Sequence, residues 1–173
     1  MNERRKYYKR SADYVPTLYK PTVLAYMAGI IDGEGCFYIG TVKKNTKDGY
    51  VNTHYVSLLK ISNTDYSLIE WLKKTFAVEA SACTRSTSSR KFEREVFDWV
   101  VTGDRLLDLS EQVLPFLVIK KPHCQNIIKF RQTYVTKHGC NKIPQDILDL
   151  RQKYLIESRN LNTRWHLHPI KQN

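Results

Sequence analysis

The stretch VLAYMAGIIDGEGCFYIG, residues 23–40, changes its pattern halfway along. Its first half carries apolar residues at helical spacing, and its second half alternates as a half-buried strand does. Asp32, Gly33, Glu34 and Gly35 stand at the junction. Carboxylates are unfavourable at the C-terminal end of a helix, where the backbone dipole is negative. Helix stability therefore does not explain this junction, and we treat it as the first candidate for a functional site.

Small residues form a stripe along the predicted helix. Ala25, Gly29 and Gly33 recur every four residues and so share one helical face. A glycine inside a helix costs about 1 kcal/mol relative to alanine, so two on one face need a reason. Close approach of a second helix is one reason. In the alternative, Gly29 packs against the protein's own sheet and Gly33 is only a C-cap.

Glu34 lies just after the predicted helix, at its C-terminal end, which suggests a metal ligand. If two such helices pair, two carboxylates meet at the negative helix ends, and a divalent cation would relieve both penalties. Oxygen ligands suit Mg²⁺. In the alternative, Glu34 is an exposed glutamate in a turn. Asp32 lies close by. An aspartate at a turn most often accepts hydrogen bonds from local backbone amides, and we expect the same of Asp32.

The composition indicates one domain with a polyanionic partner. The 173 residues carry a formal net charge of +11, from 28 Lys and Arg against 17 Asp and Glu. This charge favours DNA or RNA, because a membrane-surface protein would concentrate it on one amphipathic helix. No apolar run approaches the ~18–20 residues that span a bilayer. We therefore expect a nucleic-acid partner and no membrane.

The chain reads as an intracellular protein. Its first ten residues, MNERRKYYKR, lack the apolar segment of a secretory signal. The cysteines lie far apart with no CxxC pair and are predicted to be reduced thiols: Cys36, Cys83, Cys124 and Cys140. A mitochondrion or chloroplast and a prokaryotic or phage cytoplasm are equally compatible with these features.

The pattern predicts an α+β fold with a four-stranded antiparallel sheet and helices on one face. The predicted elements are a helix over 23–32, strands over 36–42 and 50–62, a helix capped by Thr64 or Asp65, strands over 80–87 and 92–102, and helices over 104–115, 123–136 and 145–159. We divide the chain into a basic N-terminal arm (1–20), a core (21–137) and a C-terminal helical extension and tail (138–173).

The junction carries a family resemblance. MAGIIDGEG, residues 27–35, resembles the LAGLIDADG motif of the homing endonucleases, and the order αββαββα resembles their core fold. ISNTD (61–65) and LPFLVIK (114–120) are similar to further stretches of that family. The resemblance, over about residues 23–130, implies a LAGLIDADG homing-endonuclease core whose antiparallel sheet forms a saddle, with C-terminal helices added.

The motif occurs once, and single-motif members of that family are homodimers. The resemblance therefore implies that Ala25, Gly29 and Gly33 form the dimer interface. It also implies a long, roughly palindromic double-stranded DNA site, cut by Mg²⁺-dependent phosphodiester hydrolysis across the minor groove to leave short 3′ overhangs.

The resemblance implies catalytic roles for three residues. Glu34 takes the place of the metal-binding acid, which is more often Asp, and the Gly33 carbonyl is its companion ligand. Asn63 falls where a polar residue holds water near the metal. Lys120 falls on the lysine that stabilises charge near the scissile phosphate.

DNA recognition is assigned to the open face of the sheet, since an antiparallel ribbon fits the major groove. On the first strand, Phe37 and Ile39 are predicted to face the helices, and Tyr38, Gly40 and Val42 to face DNA. On the second strand, Tyr55, Leu59 and Ile61 are predicted to face inward and His54, Val56, Leu58 and Lys60 outward. The two outward aliphatics either meet thymine methyl groups or signal a bulge that shifts the register. The predicted DNA contacts are Tyr38, Val42, Lys43, Lys44, Lys47, Asn52, His54, Lys60, Arg85, Ser88, Arg90 and Arg94.

Two other functions use the same features. The protein could be a maturase that binds its own intron RNA and assists splicing of a group I intron. It could also be a transcription regulator that has lost cleavage, although the retained acidic residue Glu34 argues against this. Gel shifts that compare intron RNA with duplex DNA separate the first alternative from a nuclease.

Overall fold

The computed structural model describes residues 14–45, 51–78, 80–83, 95–134 and 143–163. The elements in these ranges, in chain order, are α1 (Pro21–Glu34), β1 (Gly35–Asn45), β2 (Val51–Asn63), α2 (Tyr66–Phe76), β3 (Ala80–Cys83), β4 (Val96–Thr102), α3 (Gly103–Val113), a 3₁₀ turn (Leu114–Phe116), α4 (Lys121–Arg131) and α5 (Gln145–Thr163). The predicted α+β class with an antiparallel sheet is confirmed.

The sheet has the strand order β1-β2-β4-β3. β1 and β2 pair antiparallel without interruption, from Gly35 opposite Ile61 to Asn45 opposite Val51. The alternative of a bulge in this pair is therefore wrong, and the outward aliphatics of β2 are a true feature of the sheet. β1 also extends three residues beyond the predicted end at residue 42, because β2 continues to pair with it.

The core lies between one face of the sheet and the helices. Phe37 and Ile39 of β1 and Leu59 and Ile61 of β2 are buried on this face, as predicted. Among the described residues, Trp99 of β4 is the largest fully buried side chain, and its indole N–H donates to the Val78 carbonyl at 3.1 Å. That bond satisfies the polar group that a buried tryptophan brings into the core. Of the inward residues predicted on β2, Tyr55 is only half-buried.

α1 runs directly into β1, with no loop between them. The N–H of Gly35 donates to the Ile31 carbonyl while the Gly35 backbone is already extended. A Cβ at Gly35 would lie 2.8 Å from both the Cα and the carbonyl oxygen of Ile31, so only glycine fits here. The alternative in which Gly33 caps the helix is wrong, because Gly33 lies inside α1 and Gly35 is the cap.

α2 begins as predicted. The side chain of Asp65 accepts the backbone N–H of Ser67 at 2.8 Å and so caps the first turn. Burial of Ile69, Leu72 and Phe76 fixes the helix on the sheet.

α5 covers the outer edge of β1. The Ile39 N–H donates to Ser158 Oγ at 3.3 Å, and Asn162 Nδ2 donates to the Phe37 carbonyl at 3.5 Å. Phe37 and Ile39 are alternate residues of an edge strand, so their outward backbone groups would otherwise be unpaired. The helix runs four residues beyond its predicted end at 159, and α4 ends at Arg131 rather than at 136.

The last part of the N-terminal arm, residues 14–20, lies on the helices. The Tyr19 N–H donates to Gln112 Oε1 at 3.1 Å, and Gln112 Nε2 donates to the Thr17 carbonyl at 2.9 Å. The Tyr19 ring packs on Phe76 with 4.8 Å between centroids. The basic residues of the arm between positions 4 and 10 and the tail after 163 lie outside the described residues. The division into arm, core and extension stays a prediction.

Two further expectations concern thiols and membranes. Cys36 is an exposed thiol and Cys124 a buried one, both unbridged, and burial raises the pKa of Cys124 to about 12. The side chains of Cys83 and Cys140 lie outside the described part. Among the helices described, none has the length and apolar character to cross a bilayer.

Candidate active site and nucleic-acid interface

One face of α1 is open. Its buried residues point to the core, whereas Ala25, Gly29 and Gly33 on the opposite face are exposed. A Cβ built on Gly29 or Gly33 meets no atom within 4 Å. The alternative in which Gly29 packs against the protein's own sheet is therefore wrong. The small-residue stripe is a surface of this subunit, and nothing within the described chain explains its cost in helix stability.

Glu34 lies at the C-terminal end of α1. It is exposed and is the last residue of α1, directly before β1. Gly33 precedes it, so no helical N–H lies one turn further on to donate to the Gly33 carbonyl. A carboxylate and a carbonyl are the hard oxygen donors that Mg²⁺ prefers, so the pair fits a magnesium ion chemically. In the described ranges no three His, Cys, Asp or Glu residues form a metal-binding group. Further ligands would have to come from water, a phosphate or a second copy of the chain.

Asp32 binds a distant segment rather than local amides. Its carboxylate accepts the backbone N–H groups of Val118 at 2.9 Å, Ile119 at 3.2 Å and Lys120 at 2.8 Å. These residues are 86 to 88 positions away, so the expectation of local bonds is wrong. Burial on its own would raise the pKa of Asp32, but the three amides outweigh it and the pKa is lowered. Asp32 thus fastens the segment before α4 to the end of α1.

Lys120 lies at the same helix end. Its ammonium group donates to the Ile31 carbonyl at 2.9 Å and to the Gly35 carbonyl. Burial lowers the pKa of Lys120, and the charges of Cys36, Asp32 and Glu34 oppose that shift. An ammonium has three donors, so these bonds leave one for another acceptor. The structure therefore brings Lys120 to the end of α1 where Glu34 lies.

Asn63 ends β2 beside this helix end. Ile61, two residues before it, pairs with Gly35, the first residue of β1. The Asn63 side-chain oxygen accepts the Asp65 N–H at 2.8 Å, so it helps to form the turn before α2. Its amide nitrogen takes no part in that bond and remains a donor.

The predicted DNA contacts fall into three groups. The first group is exposed on the outer face of the sheet or near its margin and comprises Tyr38, Val42, Lys43 and His54. Lys60 belongs with them but is only partly exposed. The second group, Lys44 and Asn52, lies in the strands, but the structure does not describe these side chains. Outside the described residues altogether are Lys47, Arg85, Ser88, Arg90 and Arg94.

Gly40 does not form part of the open surface. It is buried although it lies on the outer face of β1. A Cβ at Gly40 would lie 2.1 Å from the hydroxyl oxygen of Tyr38 and 2.4 Å from the adjacent ring carbon. The Tyr38 ring therefore lies over Gly40. The prediction that Gly40 faces DNA is corrected: Tyr38 covers this position.

Sequence reasoning missed Asp98. It lies on the outer face of β4, is only 6% exposed, and binds the ammonium group of Lys60. It also accepts the hydroxyl of Ser62 at 2.7 Å. The stretch VFDWVV could have indicated this residue, because an acid interrupts an apolar strand there. Asp98 directly precedes the buried Trp99, so the two side chains lie on opposite faces of the sheet.

The family comparison agrees with the geometry. A family model described as LAGLIDADG endonuclease matches residues 27–134, which is more than half of the chain. A comparison with curated proteins gives no match.

Solved structures share the fold. I-Vdi141I, an archaeal intron-encoded homing endonuclease complexed with DNA, is similar with a TM-score of 0.62 and 14% identity over 88% of this chain and 89% of that one. I-CvuI, in complex with the I-CreI target in the presence of 2 mM Mg and with its DNA not cleaved, gives 0.60 and 16% over 88% and 86%. A second I-CvuI complex, with its own target and 2 mM Ca, gives 0.59 and 16% over 81% and 82%. The expected homing-endonuclease fold is confirmed.

Proposed function

Because the chain belongs to the LAGLIDADG endonuclease family, we propose that it is a site-specific double-strand DNA endonuclease that acts as a homodimer. The observation that carries this proposal is the open small-residue face of α1, which ends at the exposed carboxylate of Glu34. The neighbours I-Vdi141I and I-CvuI, whose structures contain DNA, have the same fold.

The homodimer follows from the stripe. A second α1 helix can approach closely where Ala25, Gly29 and Gly33 present no large side chain. Each copy would then bring one Glu34 to the centre of the assembly. A two-fold axis between the copies calls for a DNA site of approximately palindromic sequence.

Each residue at the helix end has a distinct task in hydrolysis. Glu34 and the Gly33 carbonyl would hold Mg²⁺, which supplies Lewis-acid polarisation of the phosphate, activation of water and stabilisation of the leaving oxygen when bound. Lys120 would direct its remaining N–H and its positive charge towards the phosphate. Asn63 would orient water through its amide nitrogen. Asp32 touches no reacting atom and acts as a positioning residue for the Lys120 backbone.

The outer face of the sheet would bind the duplex. Tyr38, Val42 and His54 are exposed there, and an antiparallel sheet fits the major groove. The net charge of +11 would hold the phosphates. Each subunit would cut one strand across the minor groove to leave a short 3′ overhang.

A cleavage assay tests the proposal. The substrate is a plasmid carrying the joined sequences that flank the protein's reading frame in its host DNA. With Mg²⁺ we expect linear product, and end mapping should find 3′ overhangs. EDTA and a Glu34→Gln protein serve as controls. An intact plasmid despite demonstrated duplex binding would reject the nuclease. Preferential binding of the flanking RNA over duplex DNA would favour the maturase instead.

A further inference from the structure

Three side chains form a hydrogen-bonded group on the outer face of the sheet. Asp98 of β4 binds the ammonium group of Lys60 through one carboxylate oxygen and the hydroxyl of Ser62 through the other, at 2.7 Å. The Asp98 side chain is 8% exposed and that of Lys60 is 28% exposed. Asp98 thus lies underneath, and Lys60 reaches past it to the surface.

The carboxylate fixes the direction of both bonds. An ionised Asp98 only accepts, so the Ser62 hydroxyl must donate its proton to it. The lone pairs of Ser62 then point away from Asp98 as acceptors. Lys60 keeps further N–H donors beyond its bond to Asp98. The surface above Asp98 therefore presents a charged donor beside an acceptor.

The group lies in the interior of the sheet and close to the candidate active site. β2, which carries Lys60 and Ser62, has β1 on one side and β4 on the other. Cys36, two residues after Glu34, is the β1 partner of Lys60. Lys60 and Ser62 therefore lie on the ribbon surface that would enter the major groove, where the base edges are exposed.

A structural role alone explains this arrangement poorly. A buried ion pair is weak evidence for a role in stability, because apolar residues of similar volume in its place are often neutral or stabilising. A carboxylate on a face that binds a polyanion also repels it, which a purely phosphate-binding surface would avoid. Orienting Lys60 and Ser62 is a role that justifies Asp98 at this position.

We propose that Asp98 is a positioning residue for sequence readout, which makes Lys60 a fixed donor and Ser62 a fixed acceptor for one G·C pair in each half-site. This inference rests on the proposed function. In the major groove guanine offers the adjacent acceptors O6 and N7, and cytosine offers its N4 amino donor. Lys60 would bind the guanine edge and Ser62 the cytosine amino group. An adenine at the guanine position places a donor against the ammonium group of Lys60. The pair read lies on the inner side of its half-site, because the group is near Glu34.

Selection from a duplex library with a randomised central segment tests the assignment. The full-length protein is incubated with Ca²⁺, and bound duplexes are sequenced. The variants are Lys60→Met, Ser62→Ala and Asp98→Asn. Lys153→Met is the matched control, since Lys153 is an exposed lysine on α5 and is not among the predicted DNA contacts. Near-ultraviolet circular dichroism checks that each variant is folded. If Asp98→Asn does not fold, Lys60→Met and Ser62→Ala decide.

We expect the wild type to enrich a roughly two-fold symmetric site in which one symmetric pair of positions prefers G·C about tenfold over A·T. Lys60→Met should lose the preference at these positions alone, and Asp98→Asn should broaden it. Lys153→Met should select the wild-type consensus. An unchanged consensus in all three test variants overturns the inference and leaves the nuclease standing. A uniform loss of affinity with a smaller salt dependence in Lys60→Met identifies a phosphate contact and also overturns it. A wild type that enriches no duplex rejects the proposed function, and the inference with it.

Discussion

The backbone N–H of Lys120 lies 2.8 Å from the carboxylate of Asp32, although 88 positions separate the two residues in the chain. The same carboxylate holds the N–H groups of Val118 and Ile119. The end of α1 and the segment before α4 are therefore joined into one hydrogen-bonded unit. Its effect is that a single helix end positions both Glu34 and Lys120.

Replacing Asp32 with alanine should loosen this unit. Charged hydrogen bonds contribute about 1.5–3 kcal/mol each, and because Asp32 is partly exposed we expect a total loss of about 1–3 kcal/mol in the free energy of unfolding. Urea denaturation measures it. Asp146→Ala, at an exposed position in the first turn of α5, is the control. A loss no larger than that of Asp146→Ala would contradict a stabilising role for the three hydrogen bonds of Asp32, which we call the Asp32 clamp.

The Asp32 clamp should also fail in acid. The pKa of Asp32 in the folded protein lies below its ordinary value of 3.8. Its stabilising effect is therefore fully present above pH 3.8 and is lost as the pH falls through the lower folded pKa. Urea denaturation of the wild type and of Asp32→Asn, repeated at decreasing pH, should show their difference in stability shrinking. A difference that stays constant would show that the charge of Asp32 is irrelevant.

Cleavage should depend on the charge of Lys120. Burial lowers the pKa of Lys120 from 10.5, so the ammonium form is lost at a lower pH than in a solvated lysine. Cleavage rates should fall as the pH rises through that pKa. Lys120→Met should slow cleavage by about a hundredfold or more, as loss of a preorganised charge does. Single-turnover rates against pH test both points. A wild-type rate in Lys120→Met would remove Lys120 from the mechanism.

Glu34→Gln separates cleavage from binding. The substitution keeps the size of the side chain and removes the charge that would bind the metal. We expect cleavage to fall by two orders of magnitude or more, with duplex affinity in EDTA nearly unchanged. Gel shifts and plasmid cleavage measure the two quantities. If duplex binding in EDTA is lost together with cleavage, Glu34 supports the fold or the interface rather than the metal.

A bulky residue on the open face of α1 should prevent dimerisation. Gly29→Leu meets no atom of its own subunit, because nothing lies within 4 Å of a Cβ at this position. The subunit should therefore fold but sediment as a monomer, whereas the wild type sediments as a dimer. Gln125→Leu, at an exposed position on α4, is the control. A Gly29→Leu protein that sediments as the wild type does would exclude the proposed helix pairing.

Local patterns predicted the local parts of the fold. The helix-to-strand change at residues 32–36 and the alternation of Phe37 and Ile39 depend on neighbouring residues, and the structure has them. The capping role of Asp65 is equally local. The register of β2 was harder to predict, because its two outward aliphatics break the polar pattern of an open face.

The features that the sequence did not predict depend on contacts between distant segments. Nothing in the sequence around Asp32 indicates that its partners are the amides of residues 118–120. The bond from Ile39 to Ser158 joins residues 119 positions apart, so the packing of α5 on β1 had no local signal. Asp98 had a signal, an acid in an apolar strand, but its meaning depended on Lys60 and Ser62 across the sheet.

The packing of α5 along β1 has a consequence for how copies of the protein can associate. The outward N–H of Ile39 and the outward carbonyl of Phe37 are occupied by Ser158 and Asn162. A strand from another molecule finds no backbone partner at these residues, so two sheets cannot merge there into one continuous ribbon. Pairing with a foreign strand is therefore blocked at this part of β1, the part next to the end of α1.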